Sequence, residues 1–417
     1  MTTLQSDTGA PTSAPPRVSP PADVPAAFAI SRERLAVAGV LLVALGAAAY
    51  VLHTNGQAPL ALSLLFGAVF GIVLQRARFC FFCNFRDWFD NGDPRGLLGI
   101  LVALAVGLIG YTLVFGSWLP DASTGRLPPD AFIGPVSIAL VAAGIAFGAG
   151  MAISGSCVSA HLYRLGEGSP TSPFALIGTV FGFVLGFLTW NGIYLSAVSD
   201  APSVWLPQSL GYAGSLLIAL GALAVVAWLI VKRSRPIPDE PRVRDPWRSV
   251  FVERWPAWVG GAIVGVLGTM AYLRVGPLGV TAEIGGRARQ AATSLGIVPA
   301  RLEGLDTLRG CITVVRDALL TNNGVFIAAL VVAAFAAALV AGQFKPARPT
   351  PGQMLRGLTG GVLLGWGAMI GLGCTVGTFL SGTMAGALSG WVYGVSIFAG
   401  VAATLYLGRR LRLLPGP

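Results

Sequence analysis

The sequence predicts an all-α polytopic integral membrane protein made of two inverted-topology repeats, with broken or re-entrant short helices meeting at a central constriction. Three observations carry this. Charge is dilute, at 11% of residues against 54% hydrophobic, with a mean hydropathy of +0.73; soluble domains hold roughly a quarter charged residues. Long runs lack any charge: 35–75, 96–120, 131–160, 173–199, 201–231, 255–273, 318–344 and 357–408. A helical span needs about 20 apolar residues. Finally, a glycine pattern ending in cysteine occurs twice.

The elements follow in order. Residues 1–34 form an N-terminal tail rich in Pro, Ala and Ser, of the composition that stays disordered. It lacks the basic start and apolar core of a signal peptide. Arg32 and Arg34 precede the first span, placing the N-terminus in the cytoplasm. Spans are expected near 36–53, 60–75, 96–115, 131–152, 173–193 and 210–231, making a first membrane half over 35–231. Residues 232–255 mix acidic and basic residues with proline and read as a cytoplasmic linker. The second half, 256–417, holds spans near 256–274, 322–343, 357–373 and 386–407. Lys345, Arg348, Arg356, Arg409, Arg410 and Arg412 then fall inside, with the C-terminus.

Net charge is +10, but the basic residues lie in short loops rather than one patch, which argues against a nucleic-acid partner and for anchoring beside lipid.

The repeat compares "GIAFGAGMAISGSC" (144–157) with "GVLLGWGAMIGLGC" (361–374). At an offset of 217, Gly144, Gly148, Gly150 and Cys157 coincide with Gly361, Gly365, Gly367 and Cys374. A weaker match, offset 194, pairs Gly67 and Gly71 with Gly261 and Gly265. The two copies of the cysteine motif run in opposite directions across the membrane. Such repeats place a transport site on their pseudo-twofold axis. The small-residue run after Cys374, and "RARFCFFCNFRDW" at 76–88, interrupt apolar segments and read as short broken helices.

A cysteine at such a break sits beside unpaired backbone N–H groups, where an anion is favoured. Its thiol is a weak, polarizable donor, able to hold a soft anion and release it. Cys80 and Cys83 form a C-x-x-C, which leaves a membrane thiol/disulfide redox protein open as an alternative. Only two histidines occur, so structural zinc has too few ligands. Cys311 reads as a small buried hydrophobe on an amphipathic helical stripe at 305, 308, 312, 315 and 319. Arg287, Arg289, Arg301, Arg309 and Arg316, on the outer side, suggest a cationic entrance. An Arg164–Glu167 pair is expected to close the short helix after Cys157. No phosphate-binding loop is present for ATP drive, and intramembrane carboxylates for a proton relay are few.

"SGSCVSAHLYRLGEG", "GLGCTVGTFLSG", "QRARFCF" and "GPLGVTAEI" resemble the YeeE/YedE family of sulfur-transport membrane proteins, over nearly the whole chain after its tail. The resemblance implies a non-enzymatic importer in the bacterial inner membrane, with no cofactor and no catalytic residue. Thiosulfate or a related sulfur anion would pass three cysteines by S–H hydrogen bonds. Matched by motif, these are Cys80, Cys157 and Cys374; Cys83, Arg78 and His161 are further candidates. Another sulfur or selenium species remains an alternative cargo. A small cytoplasmic sulfur-carrier protein is a further implied partner. His161, where small residues are usual, and the extra cysteine depart from the family pattern.

Overall fold

A computed structural model describes residues 31–235, 246–299, 301–313, 318 and 320–414. Among them the chain is helical, with no β-strand beyond two isolated bridges, Pro135 with Ser203 and Trp205 with Ala387. The helices are α1 Arg32–Thr54, α2 Ala58–Ala77, α3 Phe81–Asn91, α4 Arg95–Trp118, α5 Ile138–Ser154, α6 Val158–Gly166, α7 Ser172–Ile193 and α8 Leu206–Lys232. Then follow α9 Pro246–Phe251, α10 Ala257–Arg274, α11 Thr281–Ser294, α12 Asn322–Val340, α13 Pro351–Ile370, α14 Gly382–Met384 and α15 Leu388–Arg410. A π-helical turn, Thr375–Ser381, precedes α14. Nine helical segments among the described residues are long and apolar enough to cross a membrane, and α13 is bent by 43° against the segment after it. Side chains such as Val40, Val43, Leu113, Leu217 and Val395 stay exposed on the outside, as lipid-facing residues do.

Local chemistry sets where spans begin. Ser137 caps α5 at the Leu140 N–H, and Thr321 caps α12 at the Gly324 N–H. Thr350 and Gln353 form a capping box with Pro351 at the first position of α13. These caps correct two expected boundaries. Residues 131–137, with Gly134 and Pro135, are extended, so α5 starts at Ile138 rather than 131. α13 starts at Pro351 rather than 357, because Arg356 is carried inside the helix.

Connections gather on two faces. On one, which carries the ends of the described chain, the Arg235 N–H donates to the Gly92 carbonyl, Lys345 N–H to Glu167, and Trp255 N–H to Arg76. Arg409 there clasps Asp90 at 2.5 and 2.7 Å, and Arg356 donates to the Leu413 carbonyl. On the opposite face the Tyr212 hydroxyl donates to Leu119, Arg309 to Pro128 and Val136 N–H to Pro202. The short helices α3 and α6 sit towards the terminal face, and α11 with the π turn towards the opposite one.

Glycines let the spans touch backbone to backbone. A methyl group at Gly150 of α5 would stand 2.7 Å from the Gly360 carbonyl oxygen of α13, and one at Gly367 of α13 would stand 2.7 Å from the Ala143 carbonyl oxygen of α5. Gly148 likewise abuts Ile397 of α15, while Gly365 abuts Thr179 of α7. Gly67 and Gly71 of α2 meet α12, whereas Gly261 and Gly265 of α10 meet α4.

One expectation fails outright. Residues 305–312 form turns, not an amphipathic helix, because Gly304 takes a left-handed φ of 64° and Gly310 packs against Leu372. Val315, Arg316 and Leu319 lie outside the described residues.

Candidate functional site

Three cysteines share one local geometry. Each stands two residues after a left-handed backbone position: Arg78 (φ 47°) before Cys80, Gly155 (φ 85°) before Cys157, and Leu372 (φ 57°) before Cys374. Each is itself extended and opens a short helical segment: α3, α6 and the π turn. Only Gly155 is the residue type that favours such a turn; Arg78 and Leu372 adopt it at a cost of about 1–2 kcal/mol. The turn ends the span, and the cysteine is delivered to the break.

All three thiols are fully buried and unbridged. They form a row with the other two cysteines. The Cys83 N–H donates to Cys80 Sγ at 3.4 Å, and Cys80 in turn neighbours Cys157. Cys157 Sγ lies 3.3 Å from Ser159 Oγ and faces Thr375, the residue after Cys374. Cys374 neighbours Cys311, whose N–H donates to the Leu372 carbonyl at 2.8 Å. The Thr281 hydroxyl, at the start of α11, donates to Cys311 Sγ at 3.3 Å. Cys311 is therefore a core residue of this row, brought in by a loop, and not an interfacial one.

A cavity lies beyond each end of the row: Arg164, which bonds Cys83, lines one, and Cys311 lines the other. Towards the terminal face, about 470 Å³ is lined by Phe82, Arg86, Arg164, Arg356 and Arg409, with Asp87 and Asp90. Towards the opposite face, about 460 Å³ is lined by Cys311, Arg287 and Arg309, with Asp130, Glu283 and Asp306. Arg287 is paired with Glu283, and Arg301 with Glu303. The expected cationic entrance thus carries mixed charge, with two of its arginines paired to carboxylates and Arg309 donating to a backbone carbonyl.

The other candidates divide. Arg164 Nη2 donates to Cys83 Sγ at 3.3 Å and Nη1 to the Gly155 carbonyl at 3.4 Å. It does not pair with Glu167, whose side chain accepts from Gln75 instead, because the guanidinium points inward along the row. His161 is buried, with Nδ1 3.2 Å from Ser172 Oγ and Nε2 3.1 Å from Ser154 Oγ. Both nitrogens are engaged, and the ring braces α5, α6 and α7. Arg78 is exposed at its turn. Arg76 is buried instead, its guanidinium without a hydrogen-bond partner among the described residues. No group of three metal-ligating side chains occurs among the described residues.

Comparisons with known proteins accord with this arrangement. The thiosulfate transporter TsuA of Spirochaeta thermophila is 29% identical over 350 residues, covering 81% of this chain and 95% of that protein. TsuA of Escherichia coli is 26% identical over 355 residues, 82% of this chain and 93% of that one. The probable transporter YedE of Escherichia coli is 29% identical over 192 residues, 46% of this chain and 45% of its own length. All three are named as transporters and none as an enzyme. The family model for sulphur transport matches residues 76–403, which takes in all five cysteines and the spans from α4 to all but the last turns of α15. This chain belongs to the sulphur transport family of membrane proteins.

Proposed function

We propose that this chain carries a sulfur oxyanion, thiosulfate, across the bacterial inner membrane into the cytoplasm, passing it from thiol to thiol without covalent chemistry. The observation that carries the reading is the row of cysteines between the two cavities, linked from Cys157 to Cys374 through Thr375, with Cys374, Cys157 and Cys80 fully enclosed. A buried S–H donates weakly to a soft anion, so each station binds without trapping. The ion enters beside Cys311, crosses Cys374, Cys157 and Cys80, and leaves past Cys83 and Arg164. The likeness to the two thiosulfate transporters, over most of their length, supports the choice of ion.

The same reading takes 35–231 and 256–417 as two halves related by an inverted repeat. Glycines matched by sequence swap partners: Gly148 meets the span after Cys374, while Gly365 meets the span after Cys157. Gly150 meets Gly360 of α13 and Gly367 meets Ala143 of α5, on the two sides of the α5/α13 crossing. A pseudo-twofold axis through that crossing produces this pattern. The terminal face, where Arg86, Arg164, Arg356 and Arg409 line one cavity, is placed in the cytoplasm by the positive-inside rule. A small sulfur-carrier protein would receive the ion there.

The test is uptake of labelled thiosulfate by cells without their own sulfate and thiosulfate importers. Wild type takes up the ion, and Cys157→Ala and Cys374→Ala at equal membrane level do not. Uptake indifferent to both substitutions overturns the thiol path.

A further inference from the structure

We infer that Thr375 is a specificity-determining residue: with Ser159 it holds the oxygen end of the ion as its sulfur end passes from Cys374 to Cys157. The inference rests on the proposed thiol path and concerns what that path selects.

Thr375 is 1% exposed, and its hydroxyl has no partner of good hydrogen-bond geometry among the described residues. In a buried site an unpaired hydroxyl is costly, and most such groups find a partner. Threonine has an obvious way out, since a helical hydroxyl commonly bonds a carbonyl one turn back. Neighbouring hydroxyls find carbonyls farther off: Thr378 donates to the Gly371 carbonyl at 2.9 Å, and Ser381 to that of Leu278, on another segment, at 3.0 Å. Thr375 does not, because it follows Cys374 at the very start of the π turn, with no preceding helical carbonyl to reach. Its hydroxyl lies beside the Cys157 thiol, close enough to interact with it but outside good hydrogen-bond geometry.

The surroundings match one chemical class. On the Cys157 side, the sulfur lies 3.3 Å from the Ser159 hydroxyl, beside the Ala160 N–H. The step between the two enclosed cysteines therefore offers thiols and hydroxyls together. Thiols suit a terminal sulfur; hydroxyls are stronger, shorter-range donors that suit sulfonate oxygens. An ion with both ends, one sulfur and three oxygens on a central sulfur, satisfies all of them at once. A sulfur anion without oxygens leaves the Thr375 hydroxyl unpaired, and a site built to bond an oxygen rejects an analogue that lacks it.

The experiment compares Thr375→Val, which keeps the shape and loses the donor, with Thr375→Ser, which keeps the donor. Labelled-thiosulfate uptake is measured beside wild type and Cys157→Ala, with unlabelled hydrosulfide and thiocyanate as competitors and the thermal midpoint of each purified protein recorded. Thr375→Val is expected to lower uptake at least tenfold with an unchanged or raised thermal midpoint, and to be inhibited by the oxygen-free competitors more strongly than wild type. Thr375→Ser is expected to stay within twofold. Uptake by Thr375→Val equal to wild type, while Cys157→Ala is inactive, overturns the inference and leaves the thiol path standing. Loss in both variants, or a lowered thermal midpoint in Thr375→Val, assigns the residue a packing role and also overturns it. Wild-type uptake that ignores Cys157→Ala sinks the path and this inference together.

Discussion

Arg164 of α6 donates to the sulfur of Cys83 on α3 at 3.3 Å, so one guanidinium ties together the two short helices of the first half. It also lines the cavity on the terminal face. A half-buried cation whose partner is a thiol rather than a carboxylate retains attraction for a passing anion. Arg164→Gln should lower thiosulfate uptake at least tenfold, and Arg164→Lys should restore part of it, since lysine keeps the charge and loses the fork. Initial rates at equal membrane level decide this; a fully active Arg164→Gln would remove the residue from the path.

Arg78 provides the contrast. It is exposed and takes the left-handed turn two residues before Cys80. What this position requires is the backbone conformation, which glycine adopts most easily. Arg78→Gly should keep uptake within twofold and change stability by no more than about 1 kcal/mol. A tenfold loss of uptake would show that the side chain itself serves the ion.

Cys311 lines the cavity on the opposite face, ahead of the three enclosed cysteines. A membrane-impermeant anionic methanethiosulfonate applied from that face should modify Cys311 first, and thiosulfate should slow the reaction. Peptide mass mapping over a time course reads the order. Modification of Cys83 before Cys311 from that side would reverse the assigned direction of the row.

Glu167 follows α6 in the loop of the terminal face. Burial holds its carboxyl above the usual carboxylate range, outweighing the nearby Arg164 and Arg78. The folded chain therefore binds this proton more readily than the unfolded chain. Its contribution to stability is present below the ordinary carboxylate value, near 4.3, and is lost as pH rises through the raised one. Thermal midpoints should rise as pH falls through that window, and Glu167→Gln should flatten the trend. The residue is only half-buried, so the difference should stay near about 2 °C. Identical pH profiles for the two proteins would refute it.

Much of this arrangement was legible because lipid imposes a simple rule. The charge-free runs become α1, α2, α4, α5, α7, α8, α10, α12, α13 and α15, and the breaks after Cys80, Cys157 and Cys374 become short helical segments. Boundaries were less legible where caps overrule hydropathy, as at Ser137 and Thr350. The loop at 302–313 was misread because its apolar spacing mimics a helix that Gly304 and Gly310 break. Cys311 then joins Cys374 through a contact across more than 60 residues, which no local pattern encodes. The same holds for Arg164, whose obvious partner by spacing was Glu167 and whose actual partner lies on another helix. Cys83 shows the remaining limit: spacing proposed a C-x-x-C with Cys80, but only the fold reveals that its sulfur also accepts from an arginine on another helix.

The two cysteine motifs, 144–157 and 361–374, are matched in sequence but not in the turn that follows the cysteine: nine residues of α-helix after Cys157, seven of π-helix after Cys374. An ion therefore meets unlike surroundings from the two sides, and its half-saturation concentration and maximal rate need not agree between them. Microscopic reversibility still binds the pair. If flux is passive, the ratio of maximal rate to half-saturation concentration must be equal in the two directions at zero membrane potential, however lopsided each quantity is. A measured inequality of those ratios would mean that a second ion travels with the first.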